Sequence, residues 1–165
     1  MILDSLLLVS GAYSAAGVLT PQLVTALGNT NSTNTIDVAA APGNQVADMR
    51  NRGFTIAVLQ SLTSGGAATV QIQLIQADDV ALSVNVQVLN QTDAFPYASL
   101  PAKTFVPLSW PPIGAYVPKR YVGLRYVVGG AVLTNGTGQF MAAVAGEGAP
   151  AWGVVPIYRG AISVA

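Results

Sequence analysis

The sequence predicts an all-β fold: a jelly-roll-like β-sandwich with an N-terminal arm, in a single domain over residues 1–165. Three observations carry this. Apolar and polar residues alternate with a period of two over runs of about six to eight residues, as half-buried strands require, because successive side chains point to opposite faces. Clusters of Gly, Pro, Asn and Asp separate these runs at short, fairly even spacing, the signature of a sandwich or barrel. No segment keeps a helical period beyond about two turns, and roughly eight strands in a chain of this length fit a jelly roll.

The elements follow in chain order. The opening MILDSLLLVSGAYSAAG is apolar, yet Asp4 stands where a secretion signal carries Lys or Arg. Residues 1–16 are therefore read as an N-terminal arm or first strand, with Ile2, Leu3, Leu6, Leu7 and Leu8 standing ahead of any obvious core. Residues 3–9 and 21–27 carry the best helical patterns, both short. Residues 29–35, NTNSTNT, are polar and low in complexity, and read as a loop. Residues 54–59 place Phe54, Ile56 and Val58 on one side. In residues 69–76, Val70, Ile72 and Leu74 alternate with Gln71 and Gln73. In residues 82–89, Leu82, Val84, Val86 and Val88 alternate with Ser83, Asn85 and Gln87, predicting a further strand. Turns are expected at Ser64-Gly65-Gly66, at Ala77-Asp78-Asp79 and over residues 90–93. Pro101, Pro107, Pro111, Pro112 and Pro118 suit loops and sheet edges, since proline gives no backbone donor. Residues 119–128, KRYVGLRYVV, form a strand whose outward side carries only Arg125 as a charge within the alternating part. After a turn at residues 135–138, strands are expected at 139–144 and 154–164.

Composition narrows function. Charged residues make up 8% of the chain and hydrophobic ones 52%, against about 25% charged in ordinary globular domains. So little charge gives little electrostatic protection against association, and points to surfaces covered by partners. Without histidine there is no Ser-His or Cys-His arrangement, and without cysteine no thiol chemistry. Seven basic residues balance seven acidic ones, which leaves no footprint for nucleic acid. No apolar window approaches the roughly 18 residues of a membrane helix, and ten prolines argue against an outer-membrane barrel. The reading is a non-enzymatic protein with no cofactor, no metal, no nucleic-acid partner and no membrane partner.

Local candidates are read the same way. Asp78-Asp79 is the only acidic pair, and its place at a turn favours capping of backbone donors over calcium binding or acid-base work. Glu147 sits in a glycine-flanked loop pattern. Arg50 and Arg52 meet either an acidic partner or the local Asp48; Lys119 and Arg120 admit the same two readings. Gly129-Gly130 lacks the helix and Lys-Ser/Thr context of a phosphate loop. Trp110 and Trp152, with Tyr97, Tyr116 and Phe95, fit either a sugar platform or interface anchors. The near-neutral surface favours the interface, where charge is depleted. The candidate protein-interface residues are thus Ile2, Leu3, Leu6, Leu7, Trp110, Tyr116 and Trp152.

At MILDSLLLVSGA, VQIQLIQADDVALS and KRYVGLRYVVGGA the chain resembles the capsid cement (decoration) proteins of short-tailed bacteriophages. In that family an opening Met-Ile-Leu-Asp, a strand ending near an Asp-Asp turn, and an Arg-Tyr strand ending in Val-Gly-Gly recur in this order. The resemblance spans most of the chain, with residues 90–118 alike only in general character. It implies a jelly-roll-like protein without catalytic site or cofactor, forming homodimers or other small homo-oligomers. It implies binding to the outside of an assembled shell, where the protein bridges neighbouring major capsid proteins. The implied location is the outer surface of the virion, after production in the host cytoplasm. The NTNSTNT stretch and the proline-rich middle depart from the family pattern, and no contact residue is carried over. The alternative is a carbohydrate-binding jelly roll of a phage fibre or lectin, with Trp110 and Trp152 as its platform.

Overall fold

The computed structural model describes residues 8–38, 53–111 and 117–144. Ile2, Leu3, Leu6, Leu7, Asp48, Arg50, Arg52, Tyr116, Glu147, Trp152 and the strand expected at 154–164 lie outside them. In chain order the strands are β1 (Leu8–Ser10), β2 (Ala12–Tyr13), β3 (Leu19–Thr20), β4 (Gln22–Leu23), β5 (Gly28–Asn31) and β6 (Ile36–Asp37). Then follow β7 (Gly53–Val58), β8 (Thr69–Ala77), β9 (Gln87–Gln91), β10 (Phe95–Pro96), β11 (Phe105–Ser109), β12 (Tyr121–Gly129) and β13 (Gln139–Val144).

These strands form two antiparallel sheets and a small β2–β3 hairpin. The first sheet runs β1-β13-β7-β11, with β4 continuing the β1 edge along β13. In the second, β9 and β10 share one side of β8, and β5 and β6 share the far side of β12. Counted that way, the chain visits the sheets in the order first, second, first, second, second, first, second, first. That interleaving is the double Greek key of a jelly roll. Among the described residues the proline-bearing strand β11 pairs only with β7, so Pro107 sits on an edge of the described sheet, where its missing donor breaks no ladder.

The core lies between the sheets because each strand turns one set of alternate apolar residues inward. β8 contributes Val70, Ile72 and Leu74, and β12 contributes Val122, Leu124, Tyr126 and Val128. They meet Phe54, Ile56 and Val58 of β7, Val106 and Leu108 of β11, and Phe140 and Ala142 of β13. Each fully buried side chain of this kind contributes about 1.5–3 kcal/mol. Tyr126 crosses the interior: its ring lies 4.8 Å from that of Phe140, and its hydroxyl donates to Ser10 Oγ on β1 at 2.7 Å. Burial pushes the Tyr126 phenol pKa well above its ordinary value. Gln76 is buried at one end of the sandwich with its amide fully used: Nε2 donates to Gln87 Oε1 and to the Val117 carbonyl, and Oε1 accepts from the Lys119 N–H.

Three expectations need correction. The strand expected over residues 82–89 begins only at Gln87. Leu82 and Asn85 take φ of 55° and 51°, left-handed values that no strand accommodates, so residues 78–86 form an excursion between β8 and β9. Residues 29–35 are not a loop throughout: β5 pairs with β12 from Arg125↔Asn31 to Val128↔Gly28. Its Asn and Thr side chains have no apolar period, but pairing uses the backbone, which every residue supplies. Of the helical pattern over residues 3–9, residues 3–7 lie outside the described residues while Leu8 and Val9 are in β1, and within 21–27 Gln22–Leu23 form β4, both strands pairing with β13.

Candidate interaction surface

The outward face of the second sheet is built from β8, β12, β5 and β9. Alternation puts Gln71, Gln73, Ile75 and Ala77 outward on β8, opposite Val127, Arg125, Gly123 and Tyr121 on β12. Gln91 and Val88 flank this row on one side, opposite Gln73 and Ile75, and Asn29 and Asn31 flank it on the other. The face divides into two halves.

One half is covered by the chain itself. The excursion folds back so that Leu82 packs on Ile75 and Ala77, with Val86 and Tyr121 at the margin; Leu82 is only 2% exposed. Gly123 lies beneath it. A Cβ there would stand 2.5 Å from Leu82 Cδ1 and 2.7 Å from Ser32 Oγ, so the close approach requires glycine. Asn31 Nδ2 ties the excursion down by donating to the Ala81 and Leu82 carbonyls, each at 3.0 Å. Part of the uncharged outward side is therefore neutral because it carries its own apolar cover, not a partner.

The acidic pair organises the same excursion. Asp79 Oδ1 accepts from the N–H groups of Ser83 (2.8 Å) and Val84 (2.7 Å), and Oδ2 accepts from Ser83 Oγ at 2.7 Å. Asp78 Oδ1 meets Lys119 Nζ at 2.9 Å, and its Oδ2 accepts from Asn85 Nδ2 at 2.7 Å. The Val84 backbone bond, then the Ser83 hydroxyl, hold the Asp79 carboxyl below its ordinary value. Lys119, then Asn85, do the same for Asp78. All four oxygens are engaged within the fold, which is the expected turn chemistry. Beyond this cover, Val80 and Val84 point to solvent, as does Val88 on β9.

The other half is a field of amides around one cation. Gln71 Nε2 donates to the Thr92 carbonyl at 2.9 Å. Gln73 Nε2 donates to Gln71 Oε1 (3.1 Å) and to Gln91 Oε1 (2.9 Å). Gln73 Oε1 accepts from Arg125 Nε at 2.8 Å. Arg125 is half-buried at the middle of this face.

The remaining sequence candidates fall elsewhere. Arg120 grips Asp37 through Nε and Nη2, at 3.0 and 2.9 Å, and lies 5.0 Å over the Tyr121 ring. Lys119 and Arg120 are thus matched locally, as exposed pairs of small energetic consequence. Trp110 stacks on Phe54 with centroids 6.2 Å apart and, like Phe95 and Tyr97, packs against the core. It is half-buried, so part of its area serves the sandwich. Of the seven expected interface residues it is the one within the described residues. The amide field was missed as a unit, although Gln alternation in residues 69–76 and the lone charge of Arg125 were its signals. Among the described residues, no three His, Cys, Asp or Glu side chains gather as a metal site. No helix among them is long and apolar enough to cross a membrane.

A family model described as Bbp16 matches residues 18–144, from the approach to β3 through the last residue of β13. No curated protein matches the chain.

Proposed function

The chain belongs to the Bbp16 family, and for this member we propose the role of a non-enzymatic capsid cement protein of a bacteriophage. It binds the outside of an assembled shell and bridges neighbouring major capsid proteins, as a homodimer or other small homo-oligomer on the outer surface of the virion. The observation that carries the reading is spatial. Two of the motifs behind the resemblance lie about forty residues apart along the chain, yet they build one continuous surface: VQIQLIQADDVALS is β8 with its excursion, KRYVGLRYVVGGA is β12, and the two strands are neighbours over their whole length.

The chemistry of that surface suits a protein partner. Amides donate and accept hydrogen bonds without the desolvation penalty of a full charge. Exposed valines beside them supply apolar contact, and depletion of charge is the compositional mark of an interface core. A protein that binds only the assembled lattice stabilises it by mass action, and many copies, each burying on the order of 1,600 Å², make the sum large.

The test is sedimentation of the purified chain with shells assembled from the major capsid protein of the same phage, and separately with its unassembled subunits. Co-sedimentation with shells alone, together with a raised shell melting temperature, is the expected result. No binding to shells, or equal binding to free subunits, overturns the reading.

A further inference from the structure

We propose that Arg125 anchors this surface to its partner by gripping a protein carboxylate, and that Gln71, Gln73 and Gln91 form the frame that holds its guanidinium in place. The proposal rests on the cement reading and names the chemistry of the partner at its centre.

Three observations carry it. The first is an unmatched charge. The described cations are Lys103, Lys119, Arg120 and Arg125. Lys119 and Arg120 are matched by Asp78 and Asp37. Lys103 lies on the approach to β11, its N–H on the Val58 carbonyl, away from this face. Arg125 meets no carboxylate among the described residues, and its hydrogen bond goes to a neutral amide. Guanidinium stays charged at every accessible pH, so a half-buried one at the centre of a neutral sheet keeps an unspent capacity for an anion.

The second is orientation. Gln73 directs its NH2 group at two acceptors, Gln71 Oε1 and Gln91 Oε1, which leaves its own oxygen facing Arg125 Nε. Gln71 is fixed in turn by the Thr92 carbonyl. Three glutamine side chains from two strands are thereby ordered beside one guanidinium, a degree of preorganisation that lowers the entropy lost on binding. With Nε taken by Gln73, the two Nη groups remain as the fork that receives a carboxylate end-on.

The third is charge arithmetic. One cation amid amides matches a single carboxylate, whereas phosphate chains call for clustered basic residues, which the described residues of this face lack. The amides around Arg125 then meet backbone and side-chain groups bordering that carboxylate.

The experiment uses the full chain with shells assembled from the major capsid protein. Arg125→Met keeps the aliphatic stem and removes the fork; Arg125→Lys keeps the charge without the fork; Gln73→Met removes the frame. Each variant is first checked for a wild-type circular dichroism spectrum and thermal transition. Arg125→Met is expected to weaken shell binding by about ten- to a hundredfold, with Arg125→Lys and Gln73→Met between it and wild type. Wild-type binding should fall with added salt more steeply than that of Arg125→Met. Shells whose carboxylates have been converted to neutral amides with carbodiimide and glycinamide should hold wild type no better than untreated shells hold Arg125→Met. If Arg125→Met does not fold, Arg125→Lys decides. Wild-type affinity in the folded Arg125 variants, or undiminished binding to amidated shells, overturns the carboxylate anchor and leaves the cement role standing. Failure of wild type to bind untreated shells overturns the cement role, and the anchor with it.

Discussion

Replacing Tyr126 by Phe removes one oxygen from the interior and leaves the ring in place against Phe140. The lost hydrogen bond to Ser10 Oγ, 2.7 Å long, joins β12 of one sheet to β1 of the other. Ser10 and Tyr126 are both fully buried, so water cannot replace the missing partner. A net hydrogen bond of about 1 kcal/mol plus the penalty for a stranded buried hydroxyl gives about 2 kcal/mol of destabilisation. For a domain of this size that is about 4–8 °C in Tm. Ser10→Ala strands the phenol instead and should cost a similar amount. The double variant removes both groups, and should lie within about 1 kcal/mol of wild type. Urea unfolding of the four proteins at pH 7 measures the cycle. The pH dependence has a fixed sign. Burial raises the folded phenol pKa above its ordinary value of 10.0, so the unfolded chain releases this proton first. The resulting stabilisation is complete below pH 10.0 and is lost as pH rises above it, which makes the deficit of Tyr126→Phe shrink in alkali. A coupling energy under about 0.5 kcal/mol would show that the two hydroxyls act independently and refute the cross-core bond.

Further outcomes concern the excursion and the sheet edge. Gly123→Ala drives a methyl toward Leu82 and Ser32, and should destabilise by about 1–3 kcal/mol through overpacking; adding Leu82→Ala should relieve part of this, measured as non-additivity in thermal unfolding. Asp79→Ala should abolish the hydrogen-exchange protection of the Ser83 and Val84 amides while leaving β8 and β12 protected. In the wild type the same two amides should lose protection in acid: the depressed carboxyl values mean that the stabilising contacts are complete above 3.8 and fade as pH falls below it through the folded values. Gly138→Ala sets a methyl against the Val24 carbonyl, and should loosen the β4–β13 pairing at a cost of about 3 kcal/mol, visible in chemical denaturation.

What could be read from the residues was the part governed by burial. β7, β8, β12 and β13 lie within a residue or two of their expected bounds, because each carries inward apolar residues at every second position. Residues 82–89 alternate just as cleanly, but the decisive interactions are local and polar: Asp79 captures two N–H groups four and five residues ahead, and the backbone turns left-handed at Leu82. β5 was illegible for the opposite reason, since its partner β12 lies nearly a hundred residues away and recognises only its backbone. Arg125 stood out as a lone charge. The frame around it depends on two registers, Arg125↔Gln73 and Gln73↔Gln91, which no local pattern encodes.

The pairing of β1 with β13 also governs when the molecule can be finished. Leu8 and Ser10 find their partners at Ala143 and Ala142, so the first described strand, once made, must wait for the last described one. At about 5–20 residues per second that delay is on the order of ten seconds. Throughout it Leu8 and Val9 have no sheet to join, and the half-made sandwich is open to misassociation with other nascent copies.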